Sequence, residues 1–316
     1  MDTRRFHQPC VILNPKAGSG RSLRTWPRLQ PLLEGRLGPV EALFTEAPGH
    51  ATELARNAIE SGADLVVAIG GDGTLNEVVN GFWANGKAVS EQAAAALLPL
   101  GTGGDFRRSA ALPDAPDEVI RAIAEQELRR IDVCLARFHS YDGKPLERYF
   151  VNGAGFGLGG EVAISAKNNF LTRYSGTGAF FWATAVSFLT YRARSVRLAF
   201  DEDTALETSV MEVALGNGQS QGGGMQVCPR ARLDSGSVDV SVIRKAGFFE
   251  FLAAMPYLYS GRIYSHPKCD FFRARRIVAE SDEEVSIQVD GEAVGTLPLE
   301  VETVPGAIPF AGIGPH

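Results

Sequence analysis

The chain predicts an α/β N-terminal domain built on a parallel sheet, followed by a β-rich C-terminal domain of sandwich type. Three observations carry this. Over roughly the first 130 residues, short apolar runs rich in β-branched residues alternate with segments of helical spacing, the pattern of strands covered on both faces. Glycine-rich loops follow three of these runs. After about Ile131 the chain changes to many short strands separated by turn residues, as sandwiches do. At 316 residues the chain is long for one core, so two domains are expected. We place them at residues 1–132 and 133–304.

In order, residues 10–13 read as a strand and residues 14–20 as a loop. Residues 23–33 read as a helix with Pro27 near its start, and residues 40–44 as a second strand. Residues 50–60 form a helix stopped by Gly62. Residues 64–69 are a third strand and residues 94–99 a fourth, each followed by a glycine loop, and residues 117–126 are a helix. In such sheets ligands bind at the carboxyl ends of the strands, which is where the loops at 14–20, 70–74 and 101–105 fall. The second half reads as strands at 131–138, 148–151, 196–200, 208–215, 237–243, 277–279, 285–289 and 297–300. Helices are expected at 160–168, 173–191 and 248–259. The tail, residues 305–316, is apolar enough to pack.

Composition excludes several classes. The net charge of −6 gives no global basic footprint for nucleic acid. Four cysteines, Cys10, Cys134, Cys228 and Cys269, lie far apart, which argues against a zinc site or disulfide framework and fits a reducing cytosol. No apolar signal segment precedes the first strand, and the longest apolar run, residues 179–189, is too short to span a bilayer. A soluble cytoplasmic protein is expected, peripheral at the inner face of the membrane where it touches lipid.

The run Gly70-Gly71-Asp72-Gly73-Thr74-Leu75-Asn76 is the most telling local feature. Strand, glycine turn and helix together offer backbone N–H groups to a phosphate, and glycine lets the backbone approach the anion. A carboxylate beside phosphates repels them unless a cation lies between, so Asp72 argues for a metal. A plain strand-to-helix turn is the bland alternative.

The ordered set of motifs is more specific. It runs from Asn14-Pro15-Lys16-Ala17-Gly18-Ser19-Gly20 through Thr45-Glu46-Ala47-Pro48-Gly49-His50-Ala51, the Gly70 to Glu77 segment and Pro99-Leu100-Gly101-Thr102. It continues with Gly216-Asn217-Gly218, Gly222-Gly223-Gly224-Met225 and Asp290-Gly291-Glu292. This set resembles the diacylglycerol kinase catalytic-domain family, whose fold is that of the NAD kinases and which includes sphingosine, ceramide and soluble bacterial lipid kinases. The resemblance covers nearly the whole chain. It implies two domains with the active site between them, ATP held by the first and lipid by the second, and a chain end that returns to the first domain. The implied activity is transfer of the γ-phosphoryl group of ATP to a hydroxyl of diacylglycerol or a related lipid, with Mg²⁺.

Residue by residue, the resemblance gives Asn14, Lys16, Ser19, Thr45, Gly70, Gly71, Asp72, Gly73, Thr74, Leu75, Asn76 and Thr102 to the nucleotide. It implies that Asp72 organises the catalytic Mg²⁺, that Asp105 continues the site, and that Glu292 is the candidate general base. The first loop lacks Walker spacing and is otherwise a solvated turn; Thr45 by itself is an N-cap-region threonine. Asp290-Gly291 is equally a hairpin turn. Arg232, Asp234 and Ser237 lie where the family has a structural Mg²⁺ site, and a β-turn is the alternative there.

Two departures stand out: Gly104 replaces an asparagine of the family's x-N-D-F-A pattern, and Ser235 replaces the family's metal-binding aspartate. The string Gly155-Phe156-Gly157-Leu158-Gly159-Gly160 mimics a dinucleotide loop but lacks the acid about 20 residues on; close backbone packing or a wall of the lipid cleft is the reading. Tyr174, Phe180, Phe181, Trp182, Phe188 and Tyr191 read as core or as a lipid-facing stripe. The arginines at 192, 194 and 197 and at 273, 275 and 276 read as solvated faces or as transient contacts with an anionic membrane. A homodimer is compatible with the chain. The rival readings are an NAD kinase-like enzyme of the same fold and a non-catalytic lipid- or nucleotide-binding protein.

Overall fold

Strands β1 (Pro9–Leu13) and β3 (Leu65–Gly70) are buried at every residue, as strands flanked by helices on both faces must be. A computed structural model describes residues 5–168, 191–201 and 204–314. The chain forms two compact units, residues 1–131 with 306–316, and residues 132–305.

In the first unit the elements follow as β1, α1 (Ala17–Leu37), β2 (Glu41–Phe44), α2 (His50–Glu60), β3 and α3 (Asp72–Asn80). Next come a small hairpin of β4 (Trp83–Ala84) and β5 (Lys87–Ala88), then β6 (Ala94–Pro99), α4 (Asp105–Ser109) and α5 (Pro116–Glu125). The sheet order is β2-β1-β3-β6, and the three pairings are parallel. Helix α1 buries Trp26, Leu29, Leu33 and Leu37, one stripe at helical spacing, in a core with Val119, Ile120 and Ile123 of α5 and Val67 and Leu98 of the sheet. Helix α1 begins earlier than the sequence pattern suggests. Its first turn is irregular, with Gly18, Ser19 and Gly20 all at positive φ.

The second unit opens as β7 (Arg129–His139) carries the chain across. It continues with β8 (Pro145–Phe150), β9 (Gly153–Gly157), α6 (Leu158–Asn168), β10 (Arg194–Phe200), β11 (Thr204–Gly216) and β12 (Val238–Arg244). The helix α7 (Phe248–Tyr259) precedes β13 (Cys269–Ala274), β14 (Arg276–Glu280), β15 (Ser286–Val289) and β16 (Glu292–Phe310). Its pairings are antiparallel, including β10 with β11 and β14, β11 with β9 and β12, and β15 with β9 and β16. Alternate side chains such as Val196, Leu198, Phe200, Val213 and Leu215 form one apolar core. The last strand then enters the first unit, where Phe310 lies opposite Ala95 of β6.

Several expectations change in detail. The short strand expected at 297–300 is the middle of β16, and β9, β13 and the β4–β5 hairpin were not expected. Glycines hide β9: a run of Gly153-Ala154-Gly155-Phe156-Gly157 has no β-branched residue. The dinucleotide-like glycines are packing residues. A Cβ on Gly155 would sit 2.9 Å from the Val213 carbonyl, and one on Gly160 would sit 2.3 Å from the Ser286 carbonyl. The helix expected at 173–191, with its aromatic stripe, lies outside the described residues apart from Tyr191, which packs beside Leu158, Val162 and Met211.

Those glycines also enclose a carboxyl group. Glu212 of β11 accepts the Gly159 N–H at 2.6 Å, and Cβ atoms on Gly155, Gly157 or Gly159 would press on its carboxylate. Burial pushes its pKa from 4.5 up to about 8. Between those values the unfolded chain has released a proton that the folded chain keeps, so this group makes stability fall as pH rises through the window. Glu212→Gln keeps an acceptor for Gly159 and removes the ionisation. We expect its thermal midpoint to exceed that of the parent protein by several degrees near pH 9 and the gap to close by about pH 5, as melts across pH will show.

Candidate active site

The sheet order places β1 between β2 and β3, so the chain leaves β1 to one side and returns on the other. This is the topological switch point where open α/β sheets bind ligands, beyond the carboxyl ends of the strands. The residues just past β1 and β3 meet there. Asn14 donates its N–H to the Ile69 carbonyl at 3.0 Å and its side-chain Nδ2 to Thr74 Oγ at 3.2 Å. Its Oδ1 accepts the Lys16 N–H at 3.0 Å, and its carbonyl accepts Ser22 Oγ–H at 2.5 Å. Asn14 thus shapes the first loop and ties it to the second. Thr45 N–H bonds to the Leu13 carbonyl at 2.9 Å, which brings the end of β2 to the same edge.

The third loop joins by close backbone approach. Leu100 and Gly101 both donate to the Gly70 carbonyl, at 2.8 and 2.9 Å. A Cβ on Gly101 would lie 2.4 Å from the Gly71 Cα, and one on Gly18 would lie 2.3 Å from the Leu100 carbonyl. Gly70 has no room either, since its Cβ would fall 2.4 Å from Thr74 Oγ. Glycine at 18, 70 and 101 is therefore what lets three loops share one place.

Asp72 fastens this arrangement. Its Oδ2 accepts the Asp105 N–H at 3.1 Å and its Oδ1 the Phe106 N–H at 3.2 Å. These are orphan donors of the first turn of α4, which has no side-chain cap of its own. Asp105 is 8% exposed, and its Oδ1 pairs with Arg108 at 3.1 Å. The start of α3 likewise carries no side-chain cap, so its amides point outward from the glycine turn. Leu75 and Asn76 are buried in α3, where Asn76 accepts the Asn80 amide through its carbonyl at 2.8 Å. Lys16, Ser19 and Thr102 are exposed on their loops. Glu77, which follows the glycine motif, accepts the Ala51 N–H at 3.1 Å and so caps α2.

The second unit holds the other acidic motif. Val289 lies opposite Glu292, leaving Asp290 and Gly291 as a two-residue turn with φ values of 45° and 84°. Positive φ at both positions is the I′ hairpin turn. The Asp290 carboxylate accepts three backbone N–H groups, from Val151 at 3.3 Å, Asn152 at 3.2 Å and Gly153 at 2.8 Å. Glu292 is half exposed and pairs with Arg148 at 2.8 Å. Asn217 stitches the same segment from the other side, donating Nδ2 to the carbonyls of Asp132 at 3.0 Å and Val151 at 2.7 Å. Sequence reasoning missed Arg148, Asn152 and Asp132. The one signal was Asp132, a carboxylate set between Ile131 and Val133 in β7.

The loop at 232–237 is closed on itself. Arg232 Nε reaches Asp234 Oδ1 at 3.1 Å, and Ser235 Oγ–H donates to the Ser237 carbonyl at 2.8 Å. The buried Asp132 accepts the Gly236 N–H at 2.5 Å. Among the described residues, no three His, Cys, Asp or Glu side chains group closely enough to hold a metal ion.

Comparison with known proteins agrees with the fold. A model of the diacylglycerol kinase catalytic domain matches residues 8–136. A model of the YegS C-terminal NAD kinase beta sandwich-like domain matches residues 155–312. A diacylglycerol kinase of Staphylococcus epidermidis is 31% identical over 291 residues, 91% of this chain and 86% of that protein. The chain belongs to the diacylglycerol kinase catalytic-domain family. Other members of this family are similar over comparable lengths. One from Staphylococcus saprophyticus, named diacylglycerol kinase, is 30% identical over 91% of this chain and 90% of its own. Among solved structures, a diacylglycerol kinase from Bacillus anthracis shares the fold with TM-score 0.74 and 23% identity, over 98% of each chain. Yeast NADH kinase shares it more distantly, with TM-score 0.51 and 14% identity over 98% of this chain and 86% of that one.

The contact between Gly71 and Gly101 yields a direct test in this family member. Gly101→Ala forces a methyl group against backbone that cannot rotate away. We expect a loss of about 1–3 kcal/mol, read as a lowered denaturation midpoint, whereas Gly35→Ala, in α1 with nothing within 4 Å and no positive φ, costs no stability and isolates the steric effect.

Proposed function

We propose that this chain is an ATP- and Mg²⁺-dependent lipid kinase that phosphorylates a hydroxyl of diacylglycerol or a related lipid. One observation carries the reading: three strand-end loops, two of them bearing aspartates, are bonded together at the switch point of the sheet in a member of a lipid kinase family. The residues present suit the groups the reaction needs. Uncapped α3 amides behind glycines offer donors to phosphate oxygens. Asp72 and Asp105 offer hard oxygen ligands of the kind Mg²⁺ takes, one or two carboxylates together with substrate phosphates. Bound there, Mg²⁺ would neutralise charge on the transferring phosphoryl group.

The chain's own residues divide the remaining work. The amides around Gly71, Asp72 and Gly73 bind and orient the phosphates. Asn14 and Thr74 hold the two loops in register. Lys16, exposed on the first loop, supplies a mobile positive charge. Glu292 accepts the proton of the lipid hydroxyl as its oxygen bonds to the γ-phosphorus; the bond from that phosphorus to the β–γ bridging oxygen breaks, and ADP leaves. No helix among the described residues is long and apolar enough to cross a membrane. The arginines at 197 and 276 are engaged with acidic neighbours, Arg197 with Asp282 and Arg276 with Glu300, and so offer little free charge to an anionic headgroup. We read the loop at 232–237 as a metal-free turn, because the Arg232 guanidinium already balances Asp234.

The test is transfer of label from γ-labelled ATP to a panel of lipids in detergent micelles with Mg²⁺, with NAD as a control acceptor. Label on a lipid is expected, and Asp72→Asn is expected to lower it by at least about a hundredfold while circular dichroism stays native. Label on NAD alone would overturn the lipid reading, and full activity in Asp72→Asn would remove that residue from the chemistry.

A further inference from the structure

The segment that leads out of β8 grips the acidic hairpin at two points. Amides of Val151, Asn152 and Gly153 hold Asp290, and Arg148, three residues earlier, holds Glu292 through Nη2 to Oε2 at 2.8 Å. The two side chains are unequally sheltered: Arg148 is 21% exposed and Glu292 49%. An ordinary surface ion pair has two mobile ends and contributes little. Here the guanidinium is the anchored partner, and it belongs to the same stretch of chain whose amides fix the turn. The I′ turn sets where the Glu292 backbone lies; it does not set the rotamer of a long, half-exposed glutamate. Arg148 does.

We propose that Arg148 is the positioning residue for Glu292, an inference that rests on the reading of Glu292 as the general base. By binding Oε2 it keeps the side chain in one orientation and leaves Oε1 as the atom that meets the lipid hydroxyl. A base held in one orientation reacts faster than one that searches among rotamers, so the effect of Arg148 belongs on turnover and not on substrate affinity. The pair differs from a phosphate-binding arginine, whose loss would weaken ATP.

The experiment is a double-mutant cycle on the full chain, with kcat and KM measured for ATP and for the lipid. Arg148→Met is expected to lower kcat by about tenfold or more with both KM values within about twofold. Arg148→Lys, which keeps a donor that can reach one carboxylate oxygen, is expected to recover part of the loss. In the Glu292→Gln background, Arg148→Met is expected to change nothing further, because the residue acts through the carboxylate. A rise in KM for ATP with kcat retained, an equal loss in the Glu292→Gln background, or an unchanged kcat would each overturn the proposal. Normal turnover of Glu292→Gln alone would remove the base reading and the proposal with it. A dead Glu292→Gln beside an unaffected Arg148→Met would remove only the proposal. A thermal melt of Arg148→Lys guards against misfolding as the cause.

Discussion

Asp72 accepts the amides of Asp105 and Phe106, and that pair of bonds fixes the distance between two loops more than thirty positions apart in sequence. The backbone bonds from Leu100 and Gly101 to the Gly70 carbonyl hold the same two loops together beside it. The Gly71 and Gly101 backbones touch because the loops are drawn together. The backbone of Asp105 is tied to Asp72, while its carboxylate pairs with Arg108. A carboxylate oxygen has room for more than one partner, so the acid that assembles the site keeps acceptor capacity for a cation. Its structural role and the chemical role we propose for it would use the same two atoms.

The same device recurs in the second unit. Asp290 takes three amides, and Asp201 takes the amides of both Arg275 and Arg276. Backbone donors left over at turns and helix starts need acceptors, and an ionised carboxylate makes the stronger, charge-assisted bond. The acids of the motifs therefore carry conformational information before they carry chemistry. This is why a hairpin reading and a catalytic reading of Asp290-Gly291-Glu292 do not compete. The turn needs positive φ at two positions, the carboxylate of the first locks the turn to residues 151–153, and the residue after the turn is thereby presented at a fixed place.

The fold was legible where burial and periodicity coincide. β1, β3 and β6 are continuous apolar runs, and each precedes a glycine loop, so the parallel sheet and its ligand edge could be read directly. β9 could not, because its glycines exist to admit Glu212 and the neighbouring backbone; strand propensity is lost where close approach is gained. The full length of β16 was also hidden, since Pro298, Pro305 and Pro309 break its pattern although the strand is continuous. At the site, motif residues were legible and their partners were not. Nothing in the sequence links Arg148 to Glu292 or Asp132 to Gly236, because such pairs depend on register between distant strands.

The two departures from the family pattern can be weighed in the same terms. Gly104 stands where the family has asparagine, and its backbone is left-handed, with φ 68° and ψ 29°. Glycine and asparagine are the residues that occupy this conformation most readily. The substitution therefore discards an amide side chain but keeps the backbone that delivers the amides of residues 105 and 106 to Asp72. At Ser235 the following Gly236 is again left-handed, with φ 72°, and its N–H is held by Asp132. The serine hydroxyl bonds across the turn to Ser237. A family aspartate here would add a negative charge beside Asp234 and the buried Asp132; the serine adds none, and Asp234 pairs with Arg232. Both changes preserve a loop's path, the first while removing a polar side chain and the second while removing a charge. In the first unit that path is what the glycine turn and its aspartates require, so the change at Gly104 leaves the candidate chemistry in place.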